Sequence, residues 1–186
     1  MVGIDERRAR TVGLLGERVI SPGFDTTTAL SISHLDPDTG EYGVVIEILG
    51  GGWGAGPNFN GMNGMDNPLS NCANAPVEAL ESEYDYFRVV TYELTSGSGG
   101  AGRQTGGLGV RRGYEALKDG VIISGYSDRF ESGARGILGG GPGAPGTFSV
   151  HRAAGSVEPL PSTMSVTLRT GDVFVAETGG GGGYGV

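Results

Sequence analysis

The sequence predicts a mainly β domain with one or two short helices, folded as a sandwich or a barrel-like domain with long glycine-rich loops. Glycine makes up 38 of the 186 residues, where a share of roughly 7% is usual. The apolar residues fall in β-branched runs such as VVIEIL and VIISGY, which are typical of strands. Short runs of this kind that alternate with glycine-rich turns indicate a sandwich or a barrel.

The first residues of the chain predict a helix rather than a strand. Residues 4–19 begin with acidic side chains and place Ala9, Val12 and Leu15 three residues apart, which is a helical spacing. The Ser-Pro-Gly sequence at 21–23 ends this helix, because proline and glycine stop helical structure.

The sequence therefore predicts that the chain has two parts. Residues 1–22 form a helical lead-in, and residues 23–186 form one β domain. A short helix is expected inside that domain after Pro76, since proline suits the first helical turn. Glu78 and Glu81 lie in its N-terminal half, where the helix dipole favours negative charge.

Strands are predicted from alternating or β-branched runs bounded by turn residues. They cover residues 26–35, 42–49, 87–95, 109–117, 120–128, 147–152, 163–169 and 172–178. The sequence Leu-Lys-Asp-Gly-Val at 117–121 is a ready hairpin turn.

The segment 36–40, Asp-Pro-Asp-Thr-Gly, has two interpretations. Asp36 and Asp38 are two residues apart and Glu47 stands twelfth, as in a calcium-binding loop, but Glu41 stands where that loop needs glycine. A hairpin turn with left-handed glycine explains the same residues more simply. We therefore expect a hairpin here.

Composition and charge exclude several classes of protein. The formal net charge of −8 argues against a nucleic-acid surface, which needs a basic face. One cysteine excludes an internal disulfide, and two histidines argue against a Cys/His zinc site. No run approaches the roughly 20 apolar residues of a membrane span, so a cytoplasmic location is expected. Cys72 is expected to be a plain buried thiol.

A central stretch at 96–113, SGSGGAGRQTGGLGVRRG, joins two predicted strands, and three more glycine clusters occur at 50–61, 136–146 and 178–185. Glycine serves where the backbone takes a positive φ or approaches another atom closely. The stretch is therefore predicted to be a shaped backbone surface. Its backbone-shaping candidates are Gly99, Gly100, Gly106 and Gly107.

The familiar nucleotide and nucleophile motifs give no active site. A literal G-x-G-x-x-G occurs at 97–102, but more glycine and then a strand follow it, where a dinucleotide site needs a helix. There is no Walker lysine and no Gly-x-Ser-x-Gly elbow. His34 and His151 are expected to be polar strand residues. The catalytic residues stay unknown at this point.

Five polar residues are candidates for contact with a substrate or with another subunit. Asp128 and Arg129 end a predicted strand beside glycine-rich loops, and an ordinary surface ion pair explains them equally well. The other candidates are Arg103, Asn71 and Asn74. The asparagines either line a polar pocket or bond to loop backbone, and loop architecture is the favoured interpretation.

Six motifs occur in a fixed order: GGGWGAGP, the asparagines before VEALESEY, YELTSGSGGAGRQTGGLGVRR, SDR, GGGPGAPG and GDVFVAETGGGGGYG. Together they resemble the C-terminal part of the hydantoinase B/5-oxoprolinase family, which also includes the large subunits of acetone and acetophenone carboxylases. The resemblance runs from about Gly23 to Gly185. Members often carry a histidine-rich sequence before the asparagines, and here Met62, Met65 and Asp66 stand in its place.

The resemblance implies an ATP-dependent enzyme assembled from several chains. An A-type partner subunit binds ATP, an amide or enolate oxygen is phosphorylated, and the ring then opens or a carboxyl group is added. ATP and a divalent metal are expected on partner chains, with no cofactor and no metal bound by this chain. No nucleic acid and no membrane are expected among its partners.

The chain is therefore expected to be a small split subunit of a hydantoinase- or oxoprolinase-type cyclic-amide hydrolase. In a hetero-oligomer it joins an A-type subunit and the missing N-terminal part of a B-type subunit, completes that B-type subunit and its interfaces, and is not catalytic alone. A subunit of a biotin-independent ketone carboxylase and a purely structural assembly module are the alternatives. The structural module is distinguished by whether Arg103, Asp128 and Arg129 face a cavity or a flat interface.

Overall fold

The computed structural model describes residues 16–24, 27–66 and 72–186. Within these ranges the chain forms nine strands, one α-helix and a short 3-10 helix at Gly16–Arg18. The predicted lead-in helix over residues 4–19 lies almost wholly outside the described residues. No helix in the described part of the chain is long and apolar enough to cross a membrane.

The strands agree closely with the runs predicted from sequence. Their bounds are β1 Thr28–Leu35, β2 Tyr42–Leu49, β3 Phe87–Leu94, β4 Val110–Ala116, β5 Val121–Tyr126, β6 Thr147–His151, β7 Val157–Leu160, β8 Thr163–Leu168 and β9 Val173–Glu177. The helix α1, Val77–Glu83, follows Pro76 as predicted and buries Leu80.

Two antiparallel sheets make up the domain. The first has the strand order β2-β1-β5-β8 and the second the order β3-β4-β9-β6-β7. Neither sheet closes on itself, so the domain is a sandwich and the barrel alternative is excluded. Strands that are distant in sequence lie side by side, as β1 and β5 do in the first sheet and β4 and β9 in the second.

The inner faces of the two sheets share one apolar core. Ile32 and Ile123 from the first sheet and Tyr114, Phe148 and Phe174 from the second are almost fully buried in the same cluster. Burial alternates along β2, where exposed and protected positions follow each other, as expected for a strand with one solvent face. The alternation read from sequence therefore positions the core.

The turn between β1 and β2 is a hairpin turn, as predicted. Gly40 has a φ of +72°, and Asp36 Oδ1 accepts hydrogen bonds from the backbone N–H groups of Asp38 and Thr39. The hydrogen bonds from Thr39 and Asp38 lower the pKa of the Asp36 carboxyl. This carboxylate therefore stabilises the turn.

Strand β7, a short run that contains Pro159, is absent from the sequence prediction. It pairs with β6 alone and forms an edge of the second sheet. Proline has no backbone N–H, so edge strands tolerate it where central strands do not. The position of β7 at the edge of the sheet is therefore compatible with its proline.

Candidate functional site at the glycine bundle

The four glycine-rich segments 50–61, 96–109, 136–146 and 178–185 meet at one end of the sandwich, beyond the end of β9. We call them the glycine bundle. Residues 178–185 lie at its centre and are all buried. They connect to each of the other three segments by backbone hydrogen bonds, so the central stretch found in the sequence is one wall of a larger backbone assembly.

The hydrogen bonds of the central segment repeat every three residues. The N–H groups of Gly52 and Ala55 donate to the carbonyls of Gly179 and Gly182, three residues apart on both segments. On another side, Gly180 and Gly183 donate to the carbonyls of Ala144 and Gly141. A period of three residues is that of a polyproline-II helix. The backbone N–H and carbonyl groups of each segment are thus hydrogen-bonded to neighbouring segments of the bundle, as those of a strand are hydrogen-bonded to neighbouring strands of a sheet.

Close approach of backbone explains the glycines at the centre of the bundle. A Cβ on Gly181 would lie 1.8 Å from the carbonyl oxygen of Trp53, and one on Gly106 would lie 1.9 Å from that of Gly181. None of the four backbone-shaping candidates has a positive φ. At Gly99, Gly100 and Gly107 the corresponding distances to carbonyl oxygens are 2.0, 2.2 and 1.9 Å.

Arg103 and Arg129 lie at different positions on the rim of the bundle. Arg103 is exposed, and its guanidinium lies 5.9 Å from the centre of the Tyr184 ring. Its backbone N–H donates to the carbonyl of Gly185. Arg129 is half-buried with a φ of +59°, and its carbonyl accepts from Gly146. Asp128 beside it is exposed and forms no ion pair with Arg129.

Of the two asparagine candidates, Asn74 lies beside β2. Asn71 lies outside the described residues. Asn74 donates to the carbonyl of Ile48 at 3.0 Å and accepts from the Tyr92 hydroxyl at 3.1 Å. Two further asparagines, Asn60 and Asn63, accept hydrogen bonds from the backbone of the central stretch. Asparagines in this part of the chain thus order backbone, as the architectural interpretation predicts.

The expectation of a buried thiol is wrong. Cys72 is exposed, and its backbone N–H donates to the Asp66 carboxylate at 2.5 Å. It lies in irregular chain before α1, where no sheet covers it. No hydrogen bond joins it to His34, which stacks on Tyr86 in the core, or to His151, which ends β6. The described residues therefore contain no cysteine–histidine pair.

A buried ionic cluster between the sheets has no counterpart in the sequence prediction. Arg112 on β4 is fully buried, donates to Glu47 Oε1 on β2 at 3.0 Å, and stacks over the Tyr92 ring at 4.3 Å. The Tyr114 hydroxyl donates to the other oxygen of Glu47. Burial and the nearby Glu47 raise the pKa of Tyr114 well above its ordinary value. Val110, Arg112 and Tyr114 alternate along β4 and share its buried side, so strand alternation is the sequence signal that would have placed Arg112 inside.

A groove of about 660 Å³ lies at the opposite end of β9 from the glycine bundle. Its charged lining includes Arg152 and Asp172, which form an ion pair at 2.9 Å. Burial raises the pKa of Asp172, but hydrogen bonds from the backbone of Arg169 and Ala153 and from Arg152 outweigh it and hold the pKa below its ordinary value. The carboxylate thus ties together the loop that enters β9.

The described residues contain no group of three or more histidine, cysteine, aspartate or glutamate side chains that would hold a metal ion. The two arginines on the bundle rim carry positive charge next to dense backbone. Such a surface suits contact with an anionic group or with another chain. These residues provide no nucleophile with an adjacent base.

Residues 9–186 match the family model described as Hydantoinase B/oxoprolinase. The chain belongs to this family. The match covers far more than half of the sequence and includes all four segments of the glycine bundle. Family membership, predicted above from six motifs, is therefore confirmed.

Two relatives illustrate the similarity. An uncharacterised protein of Methanocaldococcus jannaschii is 37% identical over 139 residues, which are 75% of this chain and 24% of that protein. The 5-oxoprolinase of Dictyostelium discoideum is 34% identical over 139 residues, 75% of this chain and 11% of that enzyme. The chain thus spans a quarter or less of the length of these relatives.

Two solved structures have the same fold. The ATP-dependent caprolactamase of Pseudomonas jessenii aligns with a TM-score of 0.77 and 22% identity, over 96% of this chain and 32% of that one. A nucleotide-free acetone carboxylase aligns with a TM-score of 0.67 and 16% identity, over 87% of this chain and 26% of that one. The sandwich and its glycine bundle are therefore similar to one portion of each larger chain.

Proposed function

We propose that this chain acts as the C-terminal, B-type part of an ATP-dependent cyclic-amide hydrolase of the hydantoinase/oxoprolinase type. The observation that carries the proposal is the family match over residues 9–186, together with 34% identity to a 5-oxoprolinase. In this role the chain completes a B-type subunit and its interfaces, as a split subunit. An A-type subunit supplies ATP binding, and partner chains supply a divalent metal.

The composition of the site supports a division of labour between chains. The described residues place no nucleophile next to a base and group no metal ligands, while the glycine bundle makes a densely hydrogen-bonded backbone body with arginines on its rim. Catalysis needs a nucleophile or base, a phosphate-binding site and a positioned substrate. We assign the first two to partner chains and give this chain a role in positioning and assembly.

A ketone carboxylase is the second candidate. It is favoured by the likeness in fold to acetone carboxylase. Hydrolase and carboxylase share the step that phosphorylates an oxygen atom, so one assembly around this domain suits both. They differ in whether water or a carboxyl donor then reacts.

The decisive experiment uses the complex purified from the source organism, with this chain present or removed. ATP hydrolysis and product formation are measured with 5-oxoproline, hydantoin, caprolactam, and acetone with bicarbonate. We expect turnover with a cyclic amide only when the chain is present, and no ATP binding by the chain alone. Turnover with acetone and bicarbonate, and with none of the cyclic amides, identifies the carboxylase. Full activity after the chain is removed contradicts both functions.

Variants of the rim then test its role in that complex. Asp128→Ala or Arg129→Ala is expected to lower turnover more than Cys72→Ala, because a charged rim orients a substrate or an interface while Cys72 lies elsewhere on an exposed loop. The comparison is made at equal amounts of assembled complex. Loss of activity in Cys72→Ala with the assembly intact would make Cys72 the catalytic residue and overturn this assignment.

A further inference from the structure

The outer face of the first sheet carries no charge. Strands β1, β2, β5 and β8 contain one carboxylate and one imidazole, Glu47 and His34, and no lysine or arginine. Both of these side chains are buried on the inner side of the sheet. The outward positions hold only hydroxyl, small and apolar side chains.

The register of the strands shows how this face is arranged. Ile46 on β2 lies opposite Ser31 on β1, and Ser31 lies opposite Ser124 on β5. The hydroxyls of Ser124 and Ser165 are 2.8 Å apart on neighbouring strands. Small side chains thus fill the middle of the face, and larger apolar ones stand beside them, with Ile46 exposed to 70% and Ile122 to 40%.

The second sheet has a different outer face. Arg88 and Glu115 pair across β3 and β4 at 2.6 Å, and Arg111 lies between Glu93 and Glu177 at 3.7 and 3.6 Å. Charged side chains are well hydrated, so this face is suited to contact with solvent. The absence of charge is therefore a property of one sheet, and general composition does not explain it.

One of the two edges of the first sheet, strand β2, is already covered in part. The Tyr84 hydroxyl donates to the carbonyl of Val44, and the Asn74 side chain donates to that of Ile48. Both carbonyls belong to the edge strand β2. An added strand would have to displace these groups, since an unpaired edge is what strand addition needs. The β2 edge is therefore obstructed for strand addition, whereas the outer face of the sheet is open to a partner.

The size of the face and the lengths of the relatives point to its occupant. Four strands about 4.8 Å apart and six residues long give a face of roughly 400 Å², which is similar in area to the largest surface patch of a typical monomer, a patch that is often functional. The chain covers 24% of its M. jannaschii relative and 32% of the caprolactamase chain. In these relatives most of the polypeptide lies outside the region that matches this domain. That remaining polypeptide is long enough to cover the face.

Resting on the proposed function, we propose that the outer face of the first sheet binds the remaining portion of a hydantoinase-B-type polypeptide. The surface that meets it must also be free of charge, because a charge buried there would find no partner among the outward side chains. The face is therefore the place where the two parts of a B-type subunit join.

The test uses three lysine variants of the whole chain. Ile46→Lys and Ile122→Lys place a charge on the face, and Val90→Lys is the matched control on β3 of the other sheet, where Val90 is 43% exposed. All three positions are exposed, so folding is expected to persist, and thermal unfolding checks this. The chain is tagged in its source organism, and a co-purifying B-type polypeptide is identified by mass spectrometry and then produced separately.

The affinity of each variant for that B-type polypeptide is measured by calorimetry. We expect Ile46→Lys and Ile122→Lys to bind more than ten-fold more weakly than the unaltered chain, and Val90→Lys to bind within two-fold of it. Equal binding by all four overturns the assignment of the face and leaves the proposed function standing. A dimer of this chain that persists beside the B-type polypeptide, and that Ile46→Lys dissociates, assigns the face to a second copy and overturns the proposal. Failure to capture any B-type polypeptide overturns both.

Discussion

Single glycines in the bundle are required by the nearness of other backbone, and their neighbours in sequence differ sharply in this respect. A Cβ on Gly143 would lie 2.3 Å from the carbonyl oxygen of Gly180, whereas one on Gly141 would meet nothing closer than 3.4 Å. Both belong to the segment GGGPGAPG. Composition alone does not distinguish them.

This contrast predicts the effect of alanine at the two sites. Gly143→Ala is expected to lower the free energy of unfolding by about 2 kcal/mol, because overpacking forces the backbone apart. Gly141→Ala is expected to change it by less than about 0.5 kcal/mol. Urea unfolding of both variants checks this. A loss below about 0.5 kcal/mol in both variants would mean that the backbone of the bundle shifts at little cost. The expectation that alanine at Gly99, Gly100, Gly106 or Gly107 costs about 1 kcal/mol or more would then fail as well.

Asp172 gives a prediction about pH. Its native pKa is lowered by the hydrogen bonds of its loop against the opposing effect of burial. A group with a lowered native pKa stabilises the fold above its unfolded pKa of about 3.9, and the stabilisation is lost as pH falls through the native value.

We therefore expect Asp172→Asn to unfold at lower urea concentration than the unaltered chain at pH 7. The difference between the two is expected to shrink as the pH falls below about 4. Urea midpoints from pH 7 to pH 3 measure it. A difference that stays constant over this range would show that the ionised carboxylate has no part in stability.

At the scale of elements, two adjacent arginines on β4 have opposite surroundings. Arg111 points outward between Glu93 and Glu177 and is 39% exposed, while Arg112 points inward and pairs with Glu47. Strand alternation separates them. The pair of Arg112 and Glu47 joins β4 of the second sheet to β2 of the first, so it connects the two layers of the sandwich.

Replacing each arginine by methionine is expected to separate the contributions of the two side chains to the free energy of unfolding. Arg112→Met leaves the carboxylate of Glu47 buried without its charge partner and is expected to cost about 3–5 kcal/mol of unfolding free energy. Arg111→Met removes exposed ion pairs and is expected to cost less than about 1 kcal/mol. Chemical denaturation measures both. If the two variants lose equal stability, the buried pair does not hold the sheets together.

At the scale of the whole molecule, the uncharged face of the first sheet predicts association. Produced alone, the chain is expected to aggregate or self-associate, because exposed apolar surface promotes contact between copies. Light scattering and sedimentation across a range of concentrations measure this. A monomer at all concentrations, with one sharp cooperative thermal transition, would contradict the expectation.

Much of the element structure followed from local patterns in the sequence. Tyr42–Leu49 alternates and became β2 with the predicted bounds. Gly40 adopts the left-handed conformation expected of its turn. Pro76 precedes α1 as proposed. Periodicity and turn chemistry act over a few residues, so the chain expresses them without reference to its distant parts. Family membership also followed from the sequence, through the order of its motifs.

Tertiary structure alone decided which distant groups meet. Glu47 and Arg112 are 65 residues apart in sequence, and Gly52 and Gly179, which are even further apart in sequence, are joined by a backbone hydrogen bond in the bundle. Cys72 proved exposed because no sheet covers its loop. Such contacts depend on how the two sheets and four glycine segments pack, and a period within one strand carries no information about the partner of that strand. The sequence by itself determined the strands, their turns and the family; the packing decided the buried ion pair, the glycine bundle and the uncharged face, because each of these exists only where separate segments meet or leave one another uncovered.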